Sequence, residues 1–273
     1  AYVQVFPAVA SYVGGDIVAG ALFTRIDREQ ELSLFIDIGT NGEMVLGNND
    51  WLISCACSAG PAFEGSGITY GMRAMEGAIE GVTIDPETYE VDLAVIGGGR
   101  PAGLCGSGLI DCLAKLRRAG IIDRTGSFQE VATPRLRLSD EGFEFVLAWA
   151  AESSQGKDIV ITEADIKNLI RSKGAVFAGI QSLLKTVSLE MEAISRIIIA
   201  GGFGNYLNIP NAIEIGLLPD LPAEKYVFAG NTSLKGAELA LLSRPAWRDA
   251  LELARKMTYL ELSAGNLFME EFV

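Results

Sequence analysis

"LFIDIGTNGEMVLG", residues 34–47, is an apolar strand that ends on Asp37, breaks into Gly39-Thr40-Asn41-Gly42 and resumes as a second apolar strand. Asn-Gly between two such strands is the strongest short hairpin signal, so Asn41-Gly42 reads as a two-residue turn. The same residues also suit a phosphate loop. Glycines on both sides of Thr40 and Asn41 leave backbone amides able to face an anion, and a carboxylate at a strand end can bind a metal-bound water. Taken alone, the motif divides evenly between the two readings, and its neighbours decide.

Outward from this loop, strands at about 32–38, 43–48 and 51–57 form a meander with Asn48-Asn49-Asp50 as its second turn. Upstream, residues 7–23 are apolar and rich in small residues. They read as a buried helix, because Gly14, Gly15, Asp16 and Gly20 interrupt a run already shorter than the roughly 20 residues that cross a bilayer. Downstream, about 59–160 breaks into short strands, one of them near 91–96, and one helix at about 106–119. Gly97-Gly98-Gly99 and Thr125-Gly126-Ser127 punctuate it. At Thr162, Thr-Glu-Ala-Asp makes a capping box for a helix to about Val187, whose Ile166, Leu169, Ile170, Val176, Ile180, Leu183 and Leu184 recur at helical spacing. Buried strands follow at Ile197–Ala200 and Tyr226–Ala229, with a helix from near Thr232.

Two more glycine-rich elements stand at element ends. Gly201-Gly202-Phe203-Gly204 follows the strand at 197–200, where missing side chains suit either a tight turn or a flat base lying on the backbone. Gly106-Ser107-Gly108 opens a helix, which gives it free amides and a positive dipole end; taken by itself, ordinary helix capping is the stronger reading of it. Neither matches G-x-G-x-x-G, and the chain has no G-x-x-x-x-G-K-[ST].

Composition removes whole classes of function. A net charge of −13 without a long basic run argues against a nucleic acid polymer as partner. The absence of histidine excludes a Ser-His-Asp triad, an imidazole base and His-ligated zinc. Cys55, Cys57, Cys105 and Cys112 lie in apolar contexts and read as buried small hydrophobes. A hydrophobic content of 49% and mean hydropathy of +0.28 favour an α/β fold with strands buried on both faces and no membrane span. The chain begins without Met and without a signal-peptide pattern, so a piece of a longer, cytoplasmic protein is expected.

In order, these pieces resemble the second half of an actin-like ATPase, the superfamily of sugar and acetate kinases, heat-shock chaperones and actin. "YVGGDIVAG", "DIGTNGE", "SCACSAGPAFEG", "LCGSGLID", "AGGFGNYL" and "GNTSLKGAELALLS" further resemble the C-terminal region of ATP-dependent reductive activators of corrinoid proteins. The resemblance implies a ribonuclease H-like lobe with a mixed sheet flanked by helices. Its core is expected at about 1–58 and 162–273, with an α+β insertion at about 59–161. Val9 to Leu22 would be the first connecting helix, and Asn231 to Leu242 the second.

By the same resemblance, Asp37 contacts Mg²⁺ through water as the catalytic and metal residue, and Gly39, Thr40, Asn41 and Gly42 hold the phosphates of ATP. Gly201, Gly202, Phe203 and Gly204 border the adenosine, with Gly106, Ser107 and Gly108 nearby. The family's [2Fe-2S] cluster belongs to an N-terminal domain absent from this chain, as does the first actin-like half. The family couples ATP hydrolysis to reduction of Co(II) to Co(I) in a corrinoid protein, and this piece alone is expected to be inactive. A small-molecule kinase and a non-catalytic partner-docking module are the alternatives, and a homodimer is left open.

Overall fold

In this computed structural model, residues 3–201 and 207–272 are described. α1 (Gly15–Thr24) precedes β1 (Ser33–Ile38), β2 (Gly42–Gly47) and β3 (Leu52–Cys57). β4 (Ala78–Ile84), β5 (Val91–Val95) and β6 (Gly103–Leu104) lead into α2 (Gly106–Arg118). β7 (Leu136–Ser139), β8 (Gly142–Ala148) and β9 (Ile159–Thr162) lead into α3 (Glu163–Thr186). β10 (Arg196–Ala200), α4 (Ile209–Glu214), β11 (Tyr226–Gly230), α5 (Thr232–Leu242), α6 (Arg244–Lys256), β12 (Met257–Tyr259) and α7 (Leu267–Phe272) complete the chain.

The chain forms two compact units, one of residues 1–58, 175–205 and 219–273, the other of 59–174 and 206–218. The first is built on one sheet in the order β11-β10-β1-β2-β3-β12. β1, β2 and β3 are an antiparallel meander, whereas β10 joins β1, β11 joins β10 and β12 joins β3 in parallel. That order is the ribonuclease H-like topology the resemblance implies, with β12 added at its edge.

Alternation along the strands sorts the two faces. Phe35, Val45 and Ile198 join Ile17, Val18, Ala21, Ala240, Ala250 and Leu253 in one core under α1, α5 and α6. On the other face the second part of α3 approaches so closely that a Cβ on Gly179 would meet the Met44 side chain at 3.1 Å. Burial on both faces explains why β1 and β10 are continuous apolar runs.

The second unit has two small sheets, β5-β4-β6 and β7-β8-β9. The capping box is present as read: Thr162 Oγ1 accepts from Asp165 N at 3.1 Å, and Asp165 Oδ2 accepts from Thr162 N at 3.0 Å. Asp165 is buried, and its Oδ1 also accepts from Thr69 N and Oγ1 at 2.8 and 3.1 Å. The carboxylate therefore caps the helix and pins a distant loop.

The sequence reading of a helix over 7–23, and of a connecting helix from Val9, is corrected. α1 starts only at Gly15, and residues 9–13 fold into a tight turn with Val9 N donating to Val13 O at 3.0 Å. Gly14 stands extended as N-cap, and Asp16 in the first turn favours a helix start there through the dipole.

α1 crosses α5 at glycine. A Cβ on Gly236 would lie 1.9 Å from the Ala19 carbonyl oxygen, with backbone that cannot swing aside. On a solvent-facing helix, Gly→Ala gains up to about 1 kcal/mol. Here the sign reverses, and Gly236→Ala is expected to cost at least about 2 kcal/mol by forcing the helices apart, measurable by denaturant unfolding.

All four cysteines are free and buried. Burial pushes the Cys57 thiol up to about 12 and lifts Cys55 and Cys112 well above the ordinary range. The thiolate is the reactive form, so these groups are inert in the folded protein. Iodoacetamide at pH 8 is expected to leave the native chain unmodified and to alkylate all four after denaturation; rapid native labelling would contradict this burial.

Candidate functional site

The loop is tighter in detail than an Asn-Gly turn. Ile38 pairs with Gly42, leaving Gly39, Thr40 and Asn41 as a three-residue connection. Gly39 N donates to Asn41 O at 2.9 Å. Asn41 is not among the residues with positive φ, so the two-residue turn read from the sequence is corrected. Thr40 and Asn41 form an exposed tip, while Gly42 is buried, where a Cβ would meet Cys57 Sγ at 2.8 Å and Val176 at 3.3 Å. Gly42 therefore lets β2 close on β3 and α3.

The register places Asp37 directly opposite Glu43. Both side chains share the α1 face of the sheet with Phe35 and Val45, and Asp16 of α1 joins them electrostatically. Burial raises the Asp37 carboxyl to about 6, and Asp16 adds to the shift. Burial raises Glu43 to about 7; a hydrogen bond from Asn41 opposes this, and Asp16 and Asp37 reinforce it. Like charges directly opposite across a ladder are destabilising, so the cluster costs folding energy.

Parallel pairing sets Ala200 beside Asp37, and the next residue, Gly201, has φ +98°. A Cβ on Gly201 would lie 2.9 Å from Asp37 Oδ1 and 2.9 Å from Ile38 O. Glycine is required here twice over, by its backbone angle and by its approach to the acidic strand end. Gly202, Phe203 and Gly204 lie outside the described residues.

Gly106, Ser107 and Gly108 lie in the second unit, at the start of α2, and all three are buried. A Cβ on Gly108 would stand 2.1 Å from the Ile79 carbonyl oxygen, so this glycine lets α2 rest on β4.

The structure thus brings together Asp37, Gly39–Gly42 and Gly201, and adds Asp16 and Glu43, which the sequence reading did not single out. Alternation along β2 was the available signal for Glu43: it shares a face with Val45. Among the described residues no three Cys, Asp or Glu side chains converge closely enough to hold a metal by themselves.

Comparison with known proteins assigns the fold and its lineage. Residues 31–273 match the model of the C-terminal domain of RACo, the ASKHA domain. The chain belongs to this family. It is 35% identical to the corrinoid activation enzyme RamQ of Eubacterium limosum over 99% of the chain and 46% of that protein. It is 30% identical to the [Co(II) methylated amine-specific corrinoid protein] reductase of Methanosarcina barkeri over 96% of the chain and 49% of that protein. A solved reductive activator for corrinoid, iron-sulfur protein superposes with a TM-score of 0.93 at 62% identity, covering 98% of the chain and 43% of that protein. The chain spans about half the length of the relatives it matches. An ASKHA domain is a nucleotide-binding, actin-like domain of mixed α/β architecture, and the six-stranded sheet of the first unit is its core.

The acidic cluster has a measurable thermodynamic signature. A carboxyl whose pKa is higher folded than unfolded holds its proton more tightly in the folded state. Its stabilising contribution is complete below about pH 4, near the ordinary value of 3.8, and is lost as pH rises through about 6. Asp37→Asn removes that loss. The variant is expected to match the parent in stability near pH 4 and to exceed it by on the order of 2 kcal/mol at pH 7.5. Paired denaturation curves at the two pH values check this, and a variant less stable at pH 7.5 would contradict the burial of a charged Asp37.

Proposed function

We propose that this chain is the nucleotide-binding half of an ATP-dependent reductive activator that returns the Co(II) state of a corrinoid protein to Co(I). The observation that carries the reading is the contact of Gly201 with Asp37 at the end of β1, beside the Gly39–Asn41 loop, in a chain whose named relatives act on corrinoid proteins.

In this reading the loop tip at Thr40 and Asn41 offers backbone amides to the phosphates, and Asp37 orders the water shell of Mg²⁺. A metal ion held there would neutralise charge developing on the phosphates during transfer. Asp16 and Glu43 add negative charge around Asp37 and strengthen its preference for a cation. Gly201, whose φ of +98° suits glycine and whose backbone lies against the end of β1, would border the adenosine beside Asp37. Gly108 packs α2 on β4 inside the second unit, and the nucleotide reading is argued from the first unit. An iron-sulfur group elsewhere in the full-length protein would supply the electron that converts Co(II) to Co(I), with ATP hydrolysis driving the uphill transfer.

Since this is one half of a two-sided clamp, the chain alone is expected to bind ATP weakly and to show no steady hydrolysis. In the full-length protein Asp37→Asn is expected to lower ATP turnover and corrinoid reduction together, by ~10²-fold or more, as for loss of one preorganised electrostatic group. Turnover and cobalt spectra measured on one preparation check this. Normal turnover in that variant would remove Asp37 from the phosphate site.

A further inference from the structure

A cavity of about 640 Å³ opens in the first unit beside the loop that carries Asn41. Its walls come from parts of the chain far apart in sequence: Tyr12 ahead of α1, Asn41, Tyr259 at the end of β12, Glu261, and Phe268 and Met269 of α7. The volume lies within the range of roughly 300–1,000 Å³ typical of sites for organic ligands. None of the nucleotide-site assignments above uses it beyond the shared Asn41.

The chemistry of the walls is selective. Glu261 is fixed by three donors: Ser263 N at 3.3 Å and Ser263 Oγ at 2.7 Å to Oε1, and Tyr259 Oη at 3.3 Å to Oε2. These bonds favour its ionised form; the serine contacts hold its pKa below the ordinary carboxylate value. Among the described residues it has no ion-pair partner, and no lysine or arginine lines the cavity. Tyr12, Tyr259 and Phe268 supply aromatic rings, and Phe268 is held by stacking on Phe272 with ring centroids 5.9 Å apart. A phosphate would be repelled by such walls. A cation with an apolar stem gains from both the rings and the carboxylate.

Around the cavity, Tyr12 is 65% and Met269 54% exposed, so the apolar lining continues onto the surface. Exposed tyrosine and methionine at a pocket rim are the residue types of protein-docking surfaces, whereas a free small cation would favour an enclosed cage. We propose that this cavity receives an arginine or lysine side chain presented by a protein partner, seated against Glu261 and the aromatic walls. The proposal deepens the functional reading above, on which its choice of a corrinoid protein as partner rests.

The test has two arms. In the first, this chain is titrated with N-acetyl-L-argininamide and, separately, with the neutral N-acetyl-L-leucinamide, followed by amide NMR shifts. The argininamide is expected to shift residues 259–269 saturably and to bind about tenfold more tightly than the leucinamide, the scale of a cation–π contact with a fixed carboxylate. Glu261→Gln, which keeps the shape and the tyrosine contact, is expected to abolish that preference, with circular dichroism confirming the fold. Equal binding of the two probes, or an unchanged preference in Glu261→Gln, overturns the proposal. Tetramethylammonium binding more tightly than the argininamide would make this a small-cation site and overturn the protein partner.

In the second arm, full-length Glu261→Lys is expected to weaken binding to the corrinoid protein at least about tenfold while leaving ATP affinity unchanged. Unchanged partner affinity overturns the proposal. If no ATP binding is found in the parent protein while the argininamide preference persists, the nucleotide reading fails and the cavity assignment stands.

Discussion

Strand β1 is held on one side by β2, antiparallel and next in sequence, and on the other by β10, parallel and some 160 residues away. The rest of the first unit follows from this double pairing. A strand with neighbours on both edges and helices on both faces must be apolar throughout, and Leu34, Phe35 and Ile36 are fully buried. Only its end can carry a charge, and Asp37 stands there. The parallel partner then delivers Gly201 to the same point, because the register that aligns Ile198 with Phe35 also aligns Ala200 with Asp37.

The electrostatics at that point run against stability. Asp37 and Glu43 face each other across the ladder with Asp16 nearby, and burial lifts both facing carboxyls toward neutral pH. Replacing one of these carboxylates with its amide would relieve the repulsion. In the proposed function a hydrated cation would offset it, and phosphates bound to that cation would meet the loop amides rather than the carboxylates. Local destabilisation concentrated at a functional site is a common consequence of preorganising charge for a ligand.

Much of this architecture is legible in the sequence, for identifiable reasons. The meander, β10 and α3 carry strong periodic signals, and the Thr162–Asp165 capping box specifies a helix start through two hydrogen bonds that local sequence alone can form. The strand expected at Tyr226–Ala229 is present as β11, but the reading of it as buried is corrected: it is the edge strand of the sheet, and Val227 and Phe228 are exposed. Sequence places the start of α1 too early because the apolar character of residues 7–23 is continuous while their backbone is not. The Gly14-Gly15 pair allows the chain to turn before the helix, and hydrophobicity alone does not register it. The loop reads as a two-residue turn in sequence but is a three-residue connection, because its closure depends on where Ile38 and Gly42 pair, which is a tertiary matter. β12 and α7 carry weak local signals; Met257–Tyr259 is a strand only because the edge of β3 is there to receive it. The cavity beside Asn41 escapes sequence reasoning altogether, since its walls converge from residues 12, 41 and 259–269 through the fold.

The central claim, that the end of β1 and its loop receive the metal-bound phosphates of a nucleotide, is tested most directly by paramagnetic relaxation with Mn²⁺·ATP in place of Mg²⁺·ATP. Mn²⁺ broadens the NMR signals of nuclei near it, whatever the rate of hydrolysis. The account predicts that the amides of residues 37–43 and Gly201 broaden first in a titration, and that excess Mg²⁺·ATP restores them. Broadening that spares this loop and falls instead on residues 259–269, or on the second unit alone, would contradict it.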